Sequence, residues 1–396
     1  MRKNLGCSVS INYKNYKNYK NKFKGLSYKG YPLDRVLGSY LIHMEYEGGR
    51  EFAMRTLFSN AEVNLTNDDL LITYTTERID YQMLMKAYFP EGRFQCLSSS
   101  TSLKAQLKKY YMPIMMSFFS TFVFLKRNNC FLKFNYKELL LLAYSIRVID
   151  NLEKKEIKCK RYIAFNSSYK LESFLSFYFR KRHIPTYSLQ HGMYFNYPID
   201  NVPKDIINYE NICSQYIFCW GEYSQNVIDK FKYSDTKSIV VGNPLVCPPL
   251  KRNHESESIY VLLPRLIYLT ESLELLSMLP DNFKYLIRPH PSIKENIEEC
   301  VLSSKNMTLD TSESGIEMMS KLTFRAVIAF NSTMVFQAVH QEQKLLCFER
   351  NTELDLAGFN SFKSVGELNN LLGKEIKNNS SKLSYYKEFE GLNWVL

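Results

Sequence analysis

The segment YLIRPHPS, residues 285–292, places one histidine between two prolines directly after a predicted strand. Pro289 and Pro291 restrict the backbone on both sides of His290 and so hold its ring in one direction. An imidazole held in this way could donate a hydrogen bond to a phosphate oxygen, and a turn histidine with a structural role is the alternative. We therefore treat His290 as a candidate phosphate ligand, with Arg288 beside it as a source of positive charge.

A second histidine, His191 in SLQHGMYF, is followed by a glycine that permits a tight turn or the close approach of a ligand. Its position after a predicted strand suits acid–base chemistry, because imidazole titrates near neutral pH. A turn histidine bonded to the backbone is the structural alternative. Glu222 in CWGEYS is the other candidate base, and as an acidic residue at a helix start it would also serve as a cap.

A third segment, AFNSTMVFQAV, ends a predicted strand and begins a helix with Asn331, Ser332 and Thr333. Such residues are ordinary helix caps, and a helix N-terminus with free N–H groups also binds anions. The chain contains neither a P-loop nor a GxGxxG motif, so a phosphate would be held at this helix start together with His290. Arg265 in LLPRL would add positive charge from a neighbouring strand.

Short apolar segments alternate with amphipathic ones, which predicts parallel sheets with helices on both faces. The clearest strand patterns are RYIAF, PTYSLQ, YIFCWG and SIVVGNP, followed by IYVLLP, KYLIRP, RAVIAF and KLLCFE. A Pro-rich, charged segment, residues 247–258, separates the two series and is the predicted linker. We predict an α/β protein of two Rossmann-like domains that face a cleft, residues 1–245 on the acceptor side and residues 246–380 on the donor side. A tail, residues 381–396, is expected to pack back on the first domain.

Ligands of open α/β sheets bind outside the carboxyl ends of the strands, so the residues that follow each strand are the candidates for the site. We therefore add Glu349 to the nucleotide-binding residues, and Gln190, Gly192, Gly242 and Asn243 to the substrate cleft. No acidic cluster of the DxD type follows a strand, so we expect a mechanism without a metal ion.

The 396 residues carry a net charge of +11, which indicates an anionic partner, although an AT-rich coding sequence would also enrich lysine. No zinc-finger, RNP-like or basic-helix pattern accompanies the charge, so nucleic acid is not expected as a partner. The nine cysteines are scattered and never spaced as CxxC, which favours a reducing cytoplasm over a disulfide framework or a zinc site. The N-terminus lacks the apolar region of a secretory signal.

Two segments raise the question of a membrane. MPIMMSFFSTFVFL, residues 112–125, is too short to span a bilayer and is expected either in the core or at a membrane interface. NYKNYKNYK, residues 12–20, is a low-complexity repeat that predicts a mobile basic arm within residues 1–30, able to rest on anionic headgroups. We expect a cytoplasmic protein, with peripheral attachment to the inner face of the membrane as the alternative.

The segments LQHG, CWGEYS, VGNP, IRPHPS and FNSTMVFQAV, in this order, resemble the GT-B glycosyltransferases of bacterial capsule, O-antigen and teichoic-acid synthesis. The resemblance covers residues 160–350 and includes CDP-glycerol polymerases and capsular sialyl- and Kdo-type transferases. It implies that His191 is the catalytic base, and that His290 with Ser332 and Thr333 contacts the donor phosphates. FNST stands where the polyol polymerases carry DYSS-like residues, and the acidic motif of many sialyltransferases is missing.

These patterns predict a metal-independent, inverting transfer of a sugar from a CMP-, CDP- or UDP-type donor to a surface glycan or a lipid-linked acceptor. No cofactor beyond the donor is expected. Three alternatives remain open: transfer of a polyol phosphate from a CDP donor, isomerisation of a UDP-sugar as in the 2-epimerases, and glycan binding without catalysis.

Overall fold

The structure is a computed structural model. It describes residues 5–46, 49–75, 79–97, 103–192, 194, 202, 204–232, 235–245, 254–312, 314–332, 334–350, 359–374, 387, 389 and 391–392.

The helices are, in chain order, α1 Leu5–Phe23, α2 Leu33–Val36, α3 Gly38–Tyr46, α4 Gly49–Phe58, α5 Ile79–Tyr88, α6 Leu103–Arg127, α7 Tyr136–Glu153, α8 Lys170–Arg180, α9 Ile207–Glu210, α10 Glu222–Phe231, α11 Leu269–Met278, α12 Lys294–Leu302, α13 Gly315–Lys321, α14 Met334–His340 and α15 Val365–Gly373. Short 3-10 turns occur at Phe131–Lys133, Lys204–Ile206, Leu266–Tyr268 and Pro291–Ile293.

The strands are, in chain order, β1 Ser27–Tyr28, β2 Tyr31–Pro32, β3 Leu70–Tyr74, β4 Phe94–Cys96, β5 Arg161–Ala164, β6 Thr186–Leu189, β7 Tyr216–Cys219, β8 Lys237–Val240, β9 His254–Leu262, β10 Tyr285–Arg288, β11 Met307–Leu309, β12 Leu322–Ala329, β13 Leu345–Phe348 and β14 Asn360–Phe362. β1 and β2 form a small antiparallel pair.

The other strands form two six-stranded sheets, with the orders β4-β3-β5-β6-β7-β8 and β11-β10-β9-β12-β13-β14. Every pairing in both sheets is parallel. This confirms the predicted class of two α/β domains built on parallel sheets. The strand order reverses between β3 and β5 in the first sheet and between β9 and β12 in the second, and these switch points are where such sheets open a crevice.

The second sheet packs on both faces, as alternate residues along its strands show. Tyr260 and Leu262 of β9 belong to a hydrophobic core that is continuous with the first domain. Ile259 and Val261 belong to a separate core on the opposite face. The first of these cores therefore joins the two sheets, while the second stabilises the C-terminal domain alone.

The predicted linker is shorter than the sequence indicates. β9 begins at His254, and its polar first half, residues 254–256, pairs in parallel with Leu322–Phe324 of β12. The limits of the two domains stay a prediction. In the tail, the Lys387 N–H donates to the Trp220 carbonyl at 2.8 Å, and the ring of Phe389 meets that of Tyr88 edge-on.

The repeat NYKNYKNYK lies in helix α1, and this corrects the mobile arm that its composition predicts. Tyr16 is fully buried and Lys20 is almost fully buried. A helix turns about 100° per residue, so residues three apart are displaced by only about 60° around the helix axis. The three tyrosines of the repeat therefore lie on one side of the helix. Tyrosine rings thus supply the apolar face that a count of aliphatic residues does not reveal.

The side chains of α1 converge on Glu210, the last residue of α9. The Tyr13 hydroxyl donates to Glu210 Oε2 at 2.9 Å, and Lys17 and Lys20 donate to Oε1 at 3.2 and 3.1 Å. Lys20 also donates to Asn211 Oδ1. Burial by itself would raise the pKa of Glu210, and the two lysines and the tyrosine outweigh it and hold that pKa below its ordinary value.

The apolar segment 112–125 lies within α6, with one face in the core and the other exposed to solvent, and its contact with a membrane interface stays a prediction. One face is buried, with Ile114, Phe124 and Leu125 at most 7% exposed, whereas Phe119 on the other face is 72% exposed. Within the described part of the chain, no helix is long and apolar enough to cross a bilayer.

We expect Glu210→Gln to lower the free energy of unfolding by about 3–5 kcal/mol, because it leaves the buried Lys20 ammonium without a counter-charge. The matched control is Asp69→Asn, which breaks the exposed pair with Lys160 and should cost at most about 1 kcal/mol. Urea unfolding of both variants measures the difference, and equal small losses would contradict this account of how α1 is held.

Candidate functional site

A cavity of about 300 Å³ opens at the switch point of the first sheet, where β3 and β5 end. It collects aromatic, amide, imidazole and carboxylate side chains from five parts of the chain. The lining residues are His43, Thr75, Tyr81, Phe165, Asn166, Tyr169, His191, Asp205, Ile207 and Asn208.

His191 reaches this cavity from the end of β6. Its half-buried ring meets Phe165 with centroids 5.2 Å apart and Tyr81 edge-on at 5.8 Å. Nδ1 lies 3.3 Å from the Leu189 carbonyl oxygen, which can only accept a hydrogen bond. This contact favours the tautomer that carries its hydrogen on Nδ1, so the neutral ring has its lone pair, and hence its basicity, on Nε2.

Gln190 fixes the turn that carries His191. This fully buried side chain donates from Nε2 to the Gly192 carbonyl and to the Ser224 hydroxyl, each at 2.8 Å. Its Oε1 accepts from the Trp220 N–H at 2.7 Å. Gln190, predicted for the substrate cleft, is therefore a buried residue that positions the turn and does not line the cavity.

Gly192 lies next to the cavity, and among the described residues no atom would lie within 4 Å of an added Cβ. Its backbone does not require a glycine, so the tight turn that the sequence predicts is not the reason for this residue. The close approach of a ligand, the other predicted reason, stays a prediction.

Asp205 connects the cavity with the second domain. It forms an ion pair with Arg265, which follows β9, and each side chain is about one-third exposed, at 32% and 33%. Arg265, predicted as a phosphate ligand, therefore has part of its charge offset by Asp205. The pair brings the edge of the second sheet next to the wall of the cavity.

Beneath the cavity lies Glu172 of α8, which the sequence reading did not single out. Its two oxygens accept from the N–H groups of Phe165 and Asn166, at 2.7 and 3.3 Å, and from the hydroxyls of Thr73 and Thr75. It thereby joins the ends of β3 and β5 at the switch point. Burial raises the pKa of Glu172 to about 8, against the opposing effect of these hydrogen bonds.

Further cavity residues come from outside the predicted strand ends. His43 belongs to α3, stacks on Phe52 and meets Tyr169 edge-on. Asn208 belongs to α9 and accepts a hydrogen bond from the Asn166 amide at 2.9 Å. No local pattern marks His43 or Asn208, because each reaches the site only through the packing of its helix.

On the second domain, His290 has the position that the sequence predicts, directly after β10 and exposed to solvent. Its Nδ1 accepts from the Ser292 N–H at 3.2 Å and lies 2.8 Å from the Ser292 hydroxyl. That hydroxyl in turn accepts from the Leu266 N–H. In the neutral ring the hydrogen is then on Nε2, which makes His290 a donor suited to an anionic oxygen.

Two other residues predicted to bind the nucleotide or its phosphates already have partners within the fold. Arg288 donates to Asp310 at 2.7 Å and to the Ser312 carbonyl and hydroxyl. Glu349 pairs with Lys363 at 3.0 Å, and hydrogen bonds from Lys363 and Ser361 lower the pKa of Glu349. Both side chains lie at strand ends, and their own partners offset their charges.

Asn331 and Ser332 lie at the switch point of the second sheet, between β12 and α14. Asn331 is buried and adopts a left-handed backbone with φ of 44°, a conformation that asparagine tolerates better than most residues. The Ser332 hydroxyl accepts at 3.3 Å from the N–H of Met334, the first residue of α14. Thr333 lies outside the described residues.

The remaining predicted residues lie away from the lining of the cavity. Glu222 is an exposed first residue of α10. Gly242, with φ of 94°, makes the turn after β8. Asn243 is buried, with its backbone bonded to Lys387. Among the described residues, no group of three His, Cys, Asp or Glu side chains is arranged to hold a metal ion, and the metal-independent mechanism stays a prediction.

No protein-family model and no curated protein matches the chain. Among solved structures, the UDP-GlcNAc 2-epimerase of Methanocaldococcus jannaschii, in complex with UDP-GlcNAc and UDP, is 14% identical with a TM-score of 0.43, over 77% of this chain and 93% of that one. The wall teichoic acid polymerase TagF is 10% identical with a TM-score of 0.39, over 92% and 88% of the two chains. A variant of S. aureus TarM is 13% identical with a TM-score of 0.39, over 61% and 53%. Because these identities and TM-scores are low, the fold class is based on the strand orders of the two sheets in this chain.

We expect the stability of the protein to depend on pH through Glu172. Its pKa of about 8 in the folded chain lies above the ordinary value of 4.5, so folding favours the protonated carboxyl. The resulting stabilisation is complete below pH 4.5 and is lost as the pH rises to about 8. The unfolding free energy of the wild type, minus that of Glu172→Gln, should fall by roughly 1.4 kcal/mol per pH unit in this window.

Urea titrations across that pH range measure the difference. The exchange Glu317→Gln, on the surface of α13, controls for the removal of one exposed carboxylate. A difference between wild type and Glu172→Gln that does not change with pH would contradict a protonated carboxyl beneath the cavity.

Proposed function

We propose that this chain is a glycosyltransferase that moves a sugar from a nucleotide-sugar donor to a hydroxyl group of a glycan or lipid-linked acceptor of the bacterial surface. The observation that carries the proposal is His191 on the wall of the switch-point cavity, with its basic Nε2 set by the Nδ1 contact to Leu189. A nitrogen base in a crevice that admits a small polar ligand is what deprotonation of an alcohol requires.

The lining of the cavity suits the acceptor. Tyr81, Phe165 and Tyr169 offer aromatic surface to the apolar face of a sugar ring, while Asn166 and Asn208 offer amides to its hydroxyl groups. In the proposed step, His191 Nε2 takes the proton of one hydroxyl as its oxygen attacks the anomeric carbon of the donor. The bond from that carbon to the phosphate oxygen breaks, and the nucleotide leaves. The configuration at the anomeric carbon is inverted.

The donor phosphates are proposed to bind at the edge of the second sheet, where β9, β10 and β12 end. His290 presents an Nε2–H donor there, and the Ser332 hydroxyl, which accepts from the Met334 N–H, can donate its own hydrogen in the turn that follows β12. Because Arg288 and Arg265 share their charge with Asp310 and Asp205, hydrogen bonds contribute more of this binding than the sequence indicates.

His191→Asn should lower kcat by about 10²–10⁴-fold with little change in the KM for the donor, since asparagine fills similar space and cannot act as a base. The matched control is His183→Asn at an exposed position with φ of 57°, which asparagine tolerates. The assay follows the mass of a defined acceptor after incubation with donor. Equal rates in the two variants would remove His191 from the mechanism.

A nucleotide that binds only the folded protein should raise its melting temperature. We expect one member of the set CMP, CDP, UDP, GDP and dTDP to do so, with a smaller shift in His290→Ala. The donors built on that nucleotide, carrying either a sugar or a polyol phosphate, then distinguish the reactions by the mass of the acceptor. Addition of a sugar supports the proposal, and addition of a polyol phosphate indicates a polyol-phosphate transferase. Conversion of a UDP-sugar without acceptor indicates an epimerase. Glycan binding with no nucleotide binding would indicate a non-catalytic role.

A further inference from the structure

Helix α6 presents a large apolar face to solvent. Met112, Met115, Met116, Phe119 and Phe122 are between 50% and 72% exposed. They recur at spacings of three and four residues, so they lie along one side of the helix. Most of the large exposed apolar side chains of the described chain belong to α6 or to the turns directly after it.

The opposite side of α6 is well packed, so its orientation is fixed. Ile114, Phe124 and Leu125 are buried, and α6 lies against α7 and α4. The buried Ser117 and Thr121 donate their hydroxyls to carbonyl groups of the preceding turn. The helix therefore has one face in the protein core and one apolar face in solvent.

The apolar surface continues past the end of the helix. Phe131 meets Phe122 edge-on with ring centroids 5.6 Å apart, and Leu132 beside it is 98% exposed. A shallow groove of about 400 Å³ separates this turn from the last turn of α6. Exposed apolar patches of this extent usually mark an interaction surface.

Basic side chains border the same surface. Lys126 and Arg127 end α6, and Lys133 ends the following turn, all three exposed. Lys126 and Lys133 line the groove. An apolar face edged by cations is the pattern of helices that lie in the interface plane of an anionic bilayer.

We propose that α6 and the turn at residues 131–133 form a docking surface for an anionic lipid bilayer, with Phe119, Phe122 and Leu132 inserted at the level of the headgroups. A second copy of the chain is the other occupant for such a surface, and charge decides against it. A chain with a net charge of +11 is repelled by its own copy and attracted by an anionic membrane.

The test is sedimentation of the full chain with vesicles, either equal parts phosphatidylglycerol and phosphatidylcholine or phosphatidylcholine alone. We expect binding to the anionic vesicles, weaker binding at high salt, and little binding to phosphatidylcholine. Met116→Ser, Phe119→Ser and Phe122→Ser together should lower the partition coefficient by at least about 100-fold. Lys126→Gln alone should lower it by about fivefold.

The matched control replaces three exposed apolar residues elsewhere, Leu273→Ser, Leu302→Ser and Val365→Ser, and should leave binding unchanged. Circular dichroism confirms that each variant is folded. Wild-type protein that stays in the supernatant with both vesicles, or a control that loses binding as the α6 variant does, would overturn the proposal. A wild-type dimer that the α6 variant dissociates, without vesicle binding, would assign the surface to self-association instead.

Discussion

All strands of a parallel sheet end at the same edge, and at a switch point the chain leaves that edge in two directions. This constraint creates the crevice between β3 and β5 in the first domain and places Arg265 and Asn331 on either side of the equivalent point in the second. Every residue proposed for chemistry depends on it. His191, Asn166 and Thr75 come from three separate parts of the chain, yet they share one cavity because their strands end side by side.

Two buried carboxyl groups support the walls of this cavity in opposite ways. Glu210 is surrounded by two ammonium groups and a phenol, so it stays charged and fastens α1 to α9, the helix that carries Ile207 and Asn208. The four groups that donate to Glu172 in the described structure are neutral, two backbone N–H groups and two hydroxyls, and burial favours its protonated form. The environment therefore decides that Glu210 acts as an ion-pair partner, whereas Glu172 is a neutral side chain that connects two strand ends by hydrogen bonds.

Much of the fold follows from local pattern. Helix α10 begins at Glu222, where the sequence predicts a helix start, and the strands RYIAF and PTYSLQ lie close to their predicted limits. His191, which the rule for strand ends singles out, lines a cavity, and its role in binding or catalysis stays a prediction. Where the local pattern fails, the cause is a partner distant in sequence. NYKNYKNYK forms a helix with one buried face because Glu210, 190 residues after Lys20, pairs with Lys17 and Lys20.

The sequence by itself determined the α/β class, the parallel sheets and the histidines that follow β6 and β10, since these depend on alternation and on turn residues within a few positions. Only the tertiary structure decided that His43, Asp205 and Glu172 belong to the same site, and that Arg288 forms an ion pair with Asp310. The physical reason is that burial and ion pairing depend on which side chains meet in space. Arg265 and Asp205 are 60 residues apart, and no periodicity within a single segment records such a contact.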